Sequence, residues 1–195
     1  MSDQPNRVNL KGVRVAILVT DGFEQVEMEE PRRALREAGA EAVLISPKNG
    51  TVQGMNHADP ADEFTVELPI AEADPADFDA LLLPGGVINA DNLRMDEDAR
   101  RFVKGIEKSK KPIAVICHGA WLLVSVGLVK GRRLTSYFTL QDDIRNAGGK
   151  WADEKAVVDG NWISSRKPDD IPAFNEGMLA LFRAHTKKSK AARAR

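Results

Sequence analysis

The sequence predicts an α/β fold, in which a mainly parallel sheet carries helices on both faces and includes a small hairpin. Short apolar runs rich in β-branched residues lack the alternation of half-exposed strands, which is typical of strands covered on both faces. These runs alternate along the chain with helix-like segments, and that order produces a parallel sheet. With 195 residues the chain can form one sizeable core, so we expect a single domain.

The predicted strands are identified by their composition. Residues 13–20 (VRVAILVT) form a continuous apolar run, whereas residues 64–68 (FTVEL) alternate like an edge strand. Asp159-Gly160 separates two apolar runs and is a strong hairpin signal. In chain order, the predicted strands are 13–20, 41–46, 64–68, 79–83 and 112–117, followed by the hairpin at 156–165.

The predicted helices are amphipathic or apolar segments that end at stop signals. The helix at 24–38 ends before Gly39, and Pro31 is expected to bend or restart it. Glycines also follow the segments at 121–126 and 139–147. In chain order, the predicted helices are 24–38, 96–110, 121–126, 139–147 and 168–185.

The composition is that of an ordinary globular protein, with 43% hydrophobic residues and a net charge of -1. There is no overall basic excess to indicate a nucleic-acid partner, and no apolar run approaches the roughly 20 residues that span a membrane. The polar start and the single cysteine lead us to expect a cytoplasmic protein. The expected organisation is a flexible N-terminus (1–12), one α/β domain (13–183) and a basic, disordered tail (184–195).

Three loops that follow predicted strands contain acidic side chains, a glycine-rich turn, or a cysteine beside a histidine. In open α/β sheets, ligands bind beyond the carboxyl ends of the strands, so these loops are expected to converge on one crevice. The loops are residues 21–27, 84–86 and 117–119.

The only cysteine, Cys117, lies where an apolar strand turns into a helix, in the stretch AVICHGAWLL. A nucleophile on such a turn is lifted out of the backbone, and the helix N-terminus favours its thiolate. Gly119 fits a turn too crowded for a side chain. The alternative is a buried cysteine that only fills space. His57 and His185 are expected to be surface residues, and no spacing suits a metal, so neither a metal nor an organic cofactor is expected.

His118 and two glutamates are the candidates for proton transfer at the thiol. His118 could act as a base, as an orienting group or as a passive residue of the first helical turn. Glu24 and Glu27 are three residues apart and therefore share a helical face. Because a carboxylate would repel a thiolate, we expect Glu27 to be protonated, with a raised pKa, and to donate a hydrogen bond to sulfur. Glu24 is equally compatible with a functional and a surface role.

The Pro84-Gly85-Gly86 turn leaves backbone amides free to approach a ligand. The amides of Gly86 and His118 could form an oxyanion hole, with Gly85 as a structural turn residue.

The segments VTDGFEQVEMEEP, LLLPGG, AVICHGAWLL and VVDGNWISSRKPDD resemble the PfpI family of intracellular proteases, protein deglycases and glyoxalase III-like enzymes. This family belongs to the class I glutamine amidotransferase-like superfamily, and the resemblance covers residues 13–182. It implies a flavodoxin-like three-layer sandwich with a nucleophilic Cys117 beside His118. It also implies that Glu27 is the thiol-bonding glutamate and that Glu24 is the neighbouring acid.

The same resemblance implies contributions from two further residues. An acid that reaches in from an adjacent subunit would fall on Asp91, and an aromatic hydroxyl that lines the pocket would fall on Tyr137. We therefore expect a homo-oligomer, either a dimer or a hexamer. Glutamine hydrolysis is excluded because the last histidine, His185, is followed by Thr-Lys-Lys-Ser and has no glutamate beside it.

Three functions remain open. The first is a stress-response enzyme that acts through the Cys117 thiolate on reactive aldehydes, such as methylglyoxal, or on early glycation adducts. The second is a cysteine peptidase or amidase that uses Cys117, His118 and Asp91. The third is a redox sensor or chaperone without turnover, although a resolving cysteine is missing from the sequence.

Overall fold

A seven-stranded sheet forms the centre of the protein in this computed structural model, which describes residues 8–193, with side chains through residue 186. Two smaller sheets flank it, one of two strands and one of three. The strands, in chain order, are β1 (Arg14–Leu18), β2 (Phe23–Glu24), β3 (Glu41–Ser46), β4 (Thr51–Asn56), β5 (Asp59–Thr65), β6 (Leu68–Pro69), β7 (Ala80–Leu83), β8 (Ile113–Ile116), β9 (Arg133–Leu134), β10 (Lys150–Trp151), β11 (Ala156–Asp159) and β12 (Trp162–Ser165).

The order of strands in the central sheet is β11-β12-β8-β7-β1-β3-β6. All neighbours are parallel except β11 and β12, which form the hairpin predicted around Asp159-Gly160. The mainly parallel sheet and its small hairpin are thus confirmed. Because β1, β7 and β8 are adjacent, the loops that follow them meet at one edge of the sheet.

Helices cover both faces of this sheet and create two apolar cores. The helices are α1 (Gln25–Glu37), α2 (Val87–Met95), α3 (Glu97–Lys108), α4 (Ala120–Ser125), α5 (Gln141–Asn146) and α6 (Ile171–Arg193). Residues of α1 and α6 pack on one face, and residues of α2 to α5 pack on the other. The result is the flavodoxin-like three-layer sandwich that the sequence predicts.

The hairpin formed by β4 and β5 is absent from the sequence prediction, which places only the edge strand at 64–68 in this region. Most of β5 (DPADEFT) is polar, so only its last residues carry a strand signal. The hairpin joins β2 in the three-stranded sheet and has His57 at its tip. The hairpin brings the side chain of His57 to the crevice.

The predictions for two helices also need correction. Helix α1 continues through Pro31 without restarting, and α2 was not predicted at all. The nine residues of α2 follow Gly86 directly, and exposed Val87 and Ile88 near its start weaken the amphipathic pattern.

Both ends of the domain are more ordered than expected. Leu10, in the stretch predicted to be flexible, is buried, and its N–H donates to the Ala38 carbonyl oxygen at 2.7 Å. Helix α6 (Ile171–Arg193) extends past residue 184, where the basic tail was predicted to begin. The other residues of these two predictions, 1–7 and 194–195, lie outside the described part of the chain. Within that part, no helix is both long and apolar enough to cross a membrane.

A buried carboxylate, Glu107, fixes the end of the sheet at which β12 begins. Arg132 and Lys110 donate to its Oε1 at 2.8 and 2.9 Å. Trp162 and Asn161 donate to its Oε2 at 2.7 and 3.0 Å. Burial alone would raise the pKa of Glu107, but the surrounding donors favour the ionised form more strongly and hold the pKa below its ordinary value of 4.5.

We expect Glu107→Gln to lower the free energy of unfolding by about 2–4 kcal/mol, because it removes a charge that several buried donors share. A group with a lowered pKa stabilises the fold above its unfolded pKa and loses that effect as the pH falls. The stability difference between wild type and Glu107→Gln should therefore shrink below pH 4.5. Urea unfolding at several pH values measures it, with the exposed Glu97→Gln of the same helix as control. A difference that does not change with pH would contradict this account.

Candidate active site

Cys117 lies on a strained turn between β8 and α4. It follows Ile116 and begins a single helical turn (Cys117–Gly119) that leads into α4. Its φ is +60°, a conformation that costs about 1 kcal/mol or more outside glycine. The Tyr137 N–H donates to its carbonyl oxygen at 3.2 Å and helps to hold the turn. The side chain is 7% exposed, at the carboxyl end of its strand, as expected for a nucleophile on an elbow.

Two glycines allow the loops to approach the elbow closely. A Cβ at Gly85 would lie 2.6 Å from the Cys117 Cβ and would also overlap the Glu27 carboxyl. A Cβ at Gly119 would lie 2.6 Å from the Leu83 carbonyl oxygen. The missing side chains therefore provide the room in which the thiol and the carboxyl meet.

Glu27, in the first turn of α1, is completely buried. Its Oε2 accepts the Gly85 N–H at 2.9 Å, and its carboxyl lies next to the Cys117 side chain, which acts to lower the pKa of Glu27. Its Oε1 has no hydrogen-bond partner among the described residues. Burial raises the pKa of Glu27 to about 8, and the nearby charge of Glu24 acts in the same direction. The carboxyl is therefore protonated at neutral pH and can donate to sulfur.

Burial is also the largest cause that raises the pKa of Cys117, and the charge of Glu27, when it is ionised, raises this pKa further. The amides of His118 and Gly86 lie near the sulfur and act to lower the pKa, as expected near a helix start, but burial outweighs them. Once Glu27 is protonated, its repulsion disappears and its O–H supports a thiolate. The two groups thus titrate as a coupled pair, and together they keep at least one proton through the neutral range.

The imidazole of His118 lies directly beside the thiol. Its Nδ1 is 3.3 Å from the Cys117 Sγ, and its Nε2 is 3.3 Å from the Thr139 Oγ1. The ring stacks on Tyr137 at a centroid distance of 4.7 Å. Burial lowers the pKa of His118, so the neutral ring can accept a proton. Of the three roles left open for His118, this geometry favours a base or an orienting group over a passive residue.

These groups form the floor of a cleft of about 730 Å³. Glu24 is at its side, where its carboxylate accepts the His57 N–H at 3.2 Å. The cleft is lined by Gly22, Glu24, Glu27, Met55, His57, Gly86, Val87, Ile88, Cys117, His118, Tyr137, Thr139, Lys167, Pro168 and Asp169.

Three cleft residues were not singled out from the sequence. His57 is exposed, as expected, and it also lines the cleft because the β4–β5 hairpin carries it there. Thr139 and Lys167 have no local sequence signal, since their position depends on how distant loops pack.

Two other expectations concern residues outside the cleft. Asp91 is exposed on α2 and does not line the cleft of its own chain. His185 is on α6 beside Asp79, in a separate depression of about 300 Å³. Among the described residues, no three histidine, cysteine or acidic side chains are grouped so as to hold a metal ion.

The fold and the site define a class of protein: a flavodoxin-like α/β sandwich with a buried cysteine on a strand-to-helix elbow. The chain belongs to the DJ-1/PfpI family, whose sequence model matches residues 13–181.

Two curated relatives and one solved structure illustrate this similarity. The chain is 40% identical over 171 residues to Deglycase TK1284 of Thermococcus kodakarensis, covering 88% of this chain and all of that protein. It is 41% identical over 172 residues to General stress protein 18 of Bacillus subtilis, covering 87% and 98%. A two-domain protein of Anabaena variabilis with DJ-1/ThiJ/PfpI-like and ferritin-like domains superposes with a TM-score of 0.81 at 32% identity, covering 86% of this chain and 47% of that one.

We expect Glu27→Gln to remove a pH dependence of stability. The folded protein keeps a proton on Glu27 up to a pH of about 8, whereas the unfolded chain releases it near pH 4.5. Because the folded state binds more protons in this interval, wild type loses stability relative to Glu27→Gln as the pH rises through it. Unfolding midpoints in urea from pH 5 to pH 8 measure the effect, and Glu24→Gln serves as the neighbouring control. Parallel curves for wild type and Glu27→Gln would show that Glu27 is ionised in the folded protein.

Proposed function

We propose that this protein is a cysteine-dependent enzyme that acts on reactive aldehydes, namely methylglyoxal or its early adducts on other molecules. The observation that carries this proposal is the buried carboxyl of Glu27, which lies next to Cys117 and has a pKa raised to about 8. An acid with such a pKa can give and take a proton near neutral pH, as an aldehyde isomerisation requires. The names of relatives, a deglycase and a general stress protein, support the same reading.

The reaction begins when the Cys117 sulfur forms a bond to the aldehyde carbon of methylglyoxal and the carbonyl oxygen takes up a proton. Glu27 is next to the sulfur and is the donor placed to supply it. The resulting carboxylate then removes the proton from the former aldehyde carbon and passes it to the neighbouring ketone oxygen, which produces an enediol. Glu27 next takes the hydroxyl proton from the former aldehyde oxygen and delivers it to the neighbouring carbon, so that the former aldehyde becomes the carbonyl of a lactoyl thioester.

Water hydrolyses the thioester, which releases lactate and restores the thiol. His118, with Nδ1 3.3 Å from the Cys117 Sγ, is placed to move the thiol proton in the first and last steps. The amides of Gly86 and His118 already point at the sulfur and can stabilise a developing oxyanion beside it. No step requires a metal or an organic cofactor. We expect the enzyme to act in the cytoplasm, where reducing conditions keep the thiol free.

The short distance from Cys117 to His118 also favours a second candidate, a cysteine peptidase or amidase. This reading needs an acid from a second copy of the chain, because Asp91 is exposed on α2 and does not line the cleft of its own chain. A homo-oligomer, a dimer or a hexamer, is part of that proposal. The redox-sensor reading is less favoured because the thiol is only 7% exposed.

The test is the conversion of methylglyoxal to lactate by wild type, Cys117→Ala and Glu27→Gln. We expect Cys117→Ala to have no measurable activity and Glu27→Gln to lose roughly 100-fold or more in kcat, as expected when a general acid–base group is removed. Glu24→Gln is the matched control, because it changes a cleft carboxyl that is not bonded to the thiol, and it should stay within about tenfold of wild type.

Activity lost only in Cys117→Ala would keep the nucleophile and remove the role of Glu27. No lactate from wild type would contradict the aldehyde reaction. The same variants, together with Asp91→Asn, would then be assayed on a fluorogenic peptide as a function of protein concentration. Cleavage that depends on assembly and on Asp91 would establish the peptidase instead.

A further inference from the structure

The nitrogen of His118 that points away from the thiol faces a hydroxyl group of the same chain. Thr139 follows Tyr137 closely and belongs to the short helical turn Phe138–Leu140. Its Oγ1 lies 3.3 Å from the His118 Nε2, while Nδ1 of the same ring lies 3.3 Å from the Cys117 Sγ. Thiol, imidazole and hydroxyl therefore form a continuous chain of contacts.

The imidazole of His118 has little freedom to turn away from these partners. Tyr137 stacks on one face, and Trp121 packs edge-on with ring centroids 5.6 Å apart. Trp121 is itself held by a hydrogen bond from its Nε1 to the Asp143 Oδ2 at 3.2 Å. Each ring nitrogen thus keeps the same partner, which makes the identity of these partners chemically important.

We propose that Thr139 is the positioning residue that holds His118 in the tautomer able to accept the thiol proton. When the Thr139 oxygen accepts a hydrogen bond from Nε2–H, the lone pair of Nδ1 is left facing the thiol. The S–H bond then breaks and an Nδ1–H bond forms, which gives a thiolate and an imidazolium. Nε2–H continues to donate to the same oxygen, and this bond is stronger when the donor is charged.

This inference rests on the part of the proposed function in which His118 takes up the thiol proton. It assigns the contact with the outer ring nitrogen to a residue of the same chain and does not depend on Asp91, the acid that the resemblance implies would come from an adjacent subunit. Thr139 is exposed at the cleft, so it can be substituted without opening the core.

The test is the rate at which iodoacetamide alkylates Cys117 as a function of pH, because alkylation reports the thiolate and needs no substrate. We expect Thr139→Val to lower the rate at neutral pH about three- to tenfold and to move the pH profile upwards by about half to one unit. Thr139→Ser keeps the hydroxyl and should stay within about twofold of wild type. Thr51→Val, a surface threonine of the β4–β5 hairpin, is the control for a general effect.

Combining Thr139→Val with His118→Asn separates positioning from a local packing effect. If Thr139 acts through His118, adding Thr139→Val to His118→Asn should leave the alkylation rate unchanged. An unchanged profile in Thr139→Val, an equal loss in Thr139→Ser, or the full loss in the His118→Asn background would each overturn the inference. If the profile shifts as expected while wild type forms no lactate, the positioning role stands and the aldehyde reaction is wrong.

Discussion

The Glu27 carboxyl and the Cys117 thiol lie next to each other inside the protein, where two negative charges could not be held together. One proton must therefore stay with the pair through the neutral range. Burial raises both pKa values, while the amides of Gly86 and His118 favour the charge on sulfur. This constraint explains why the carboxyl against the nucleophile is protonated in the neutral range. It also provides a proton donor and acceptor at the reacting atom.

The fold places the candidate site at the end of the sheet where the strands finish, and the buried Glu107 network at the other end. The loops after β1, β7 and β8 converge because these strands are adjacent, and Gly85 lets them approach more closely than any side chain would permit. At the opposite edge, Glu107 is fully hydrogen-bonded and ionised. The strained backbone of Cys117 is thus held by a scaffold in which the buried carboxylate of Glu107 is hydrogen-bonded at the opposite end of the sheet.

The sequence was informative where function depends on local pattern. The apolar run before Cys117, the glycine two residues later and the acids after the first strand each carry their own signal, so the elbow and Glu27 were predicted from them. Thr139 and His57 could not be predicted in this way, because each reaches the cleft through a loop whose path is set by tertiary packing. Because most of β5 is polar, the sequence pattern did not indicate the hairpin that carries His57.

The protonation state of Glu27 at neutral pH is the central claim, and infrared spectroscopy measures it directly. The difference spectrum between wild type and Glu27→Gln at pH 7 should contain the carbonyl stretch of a protonated carboxylic acid. This band should disappear as the pH is raised past about 8. A spectrum that contains only the bands of an ionised carboxylate would contradict the account, because Glu27 could then neither donate to the sulfur nor act as the proton shuttle.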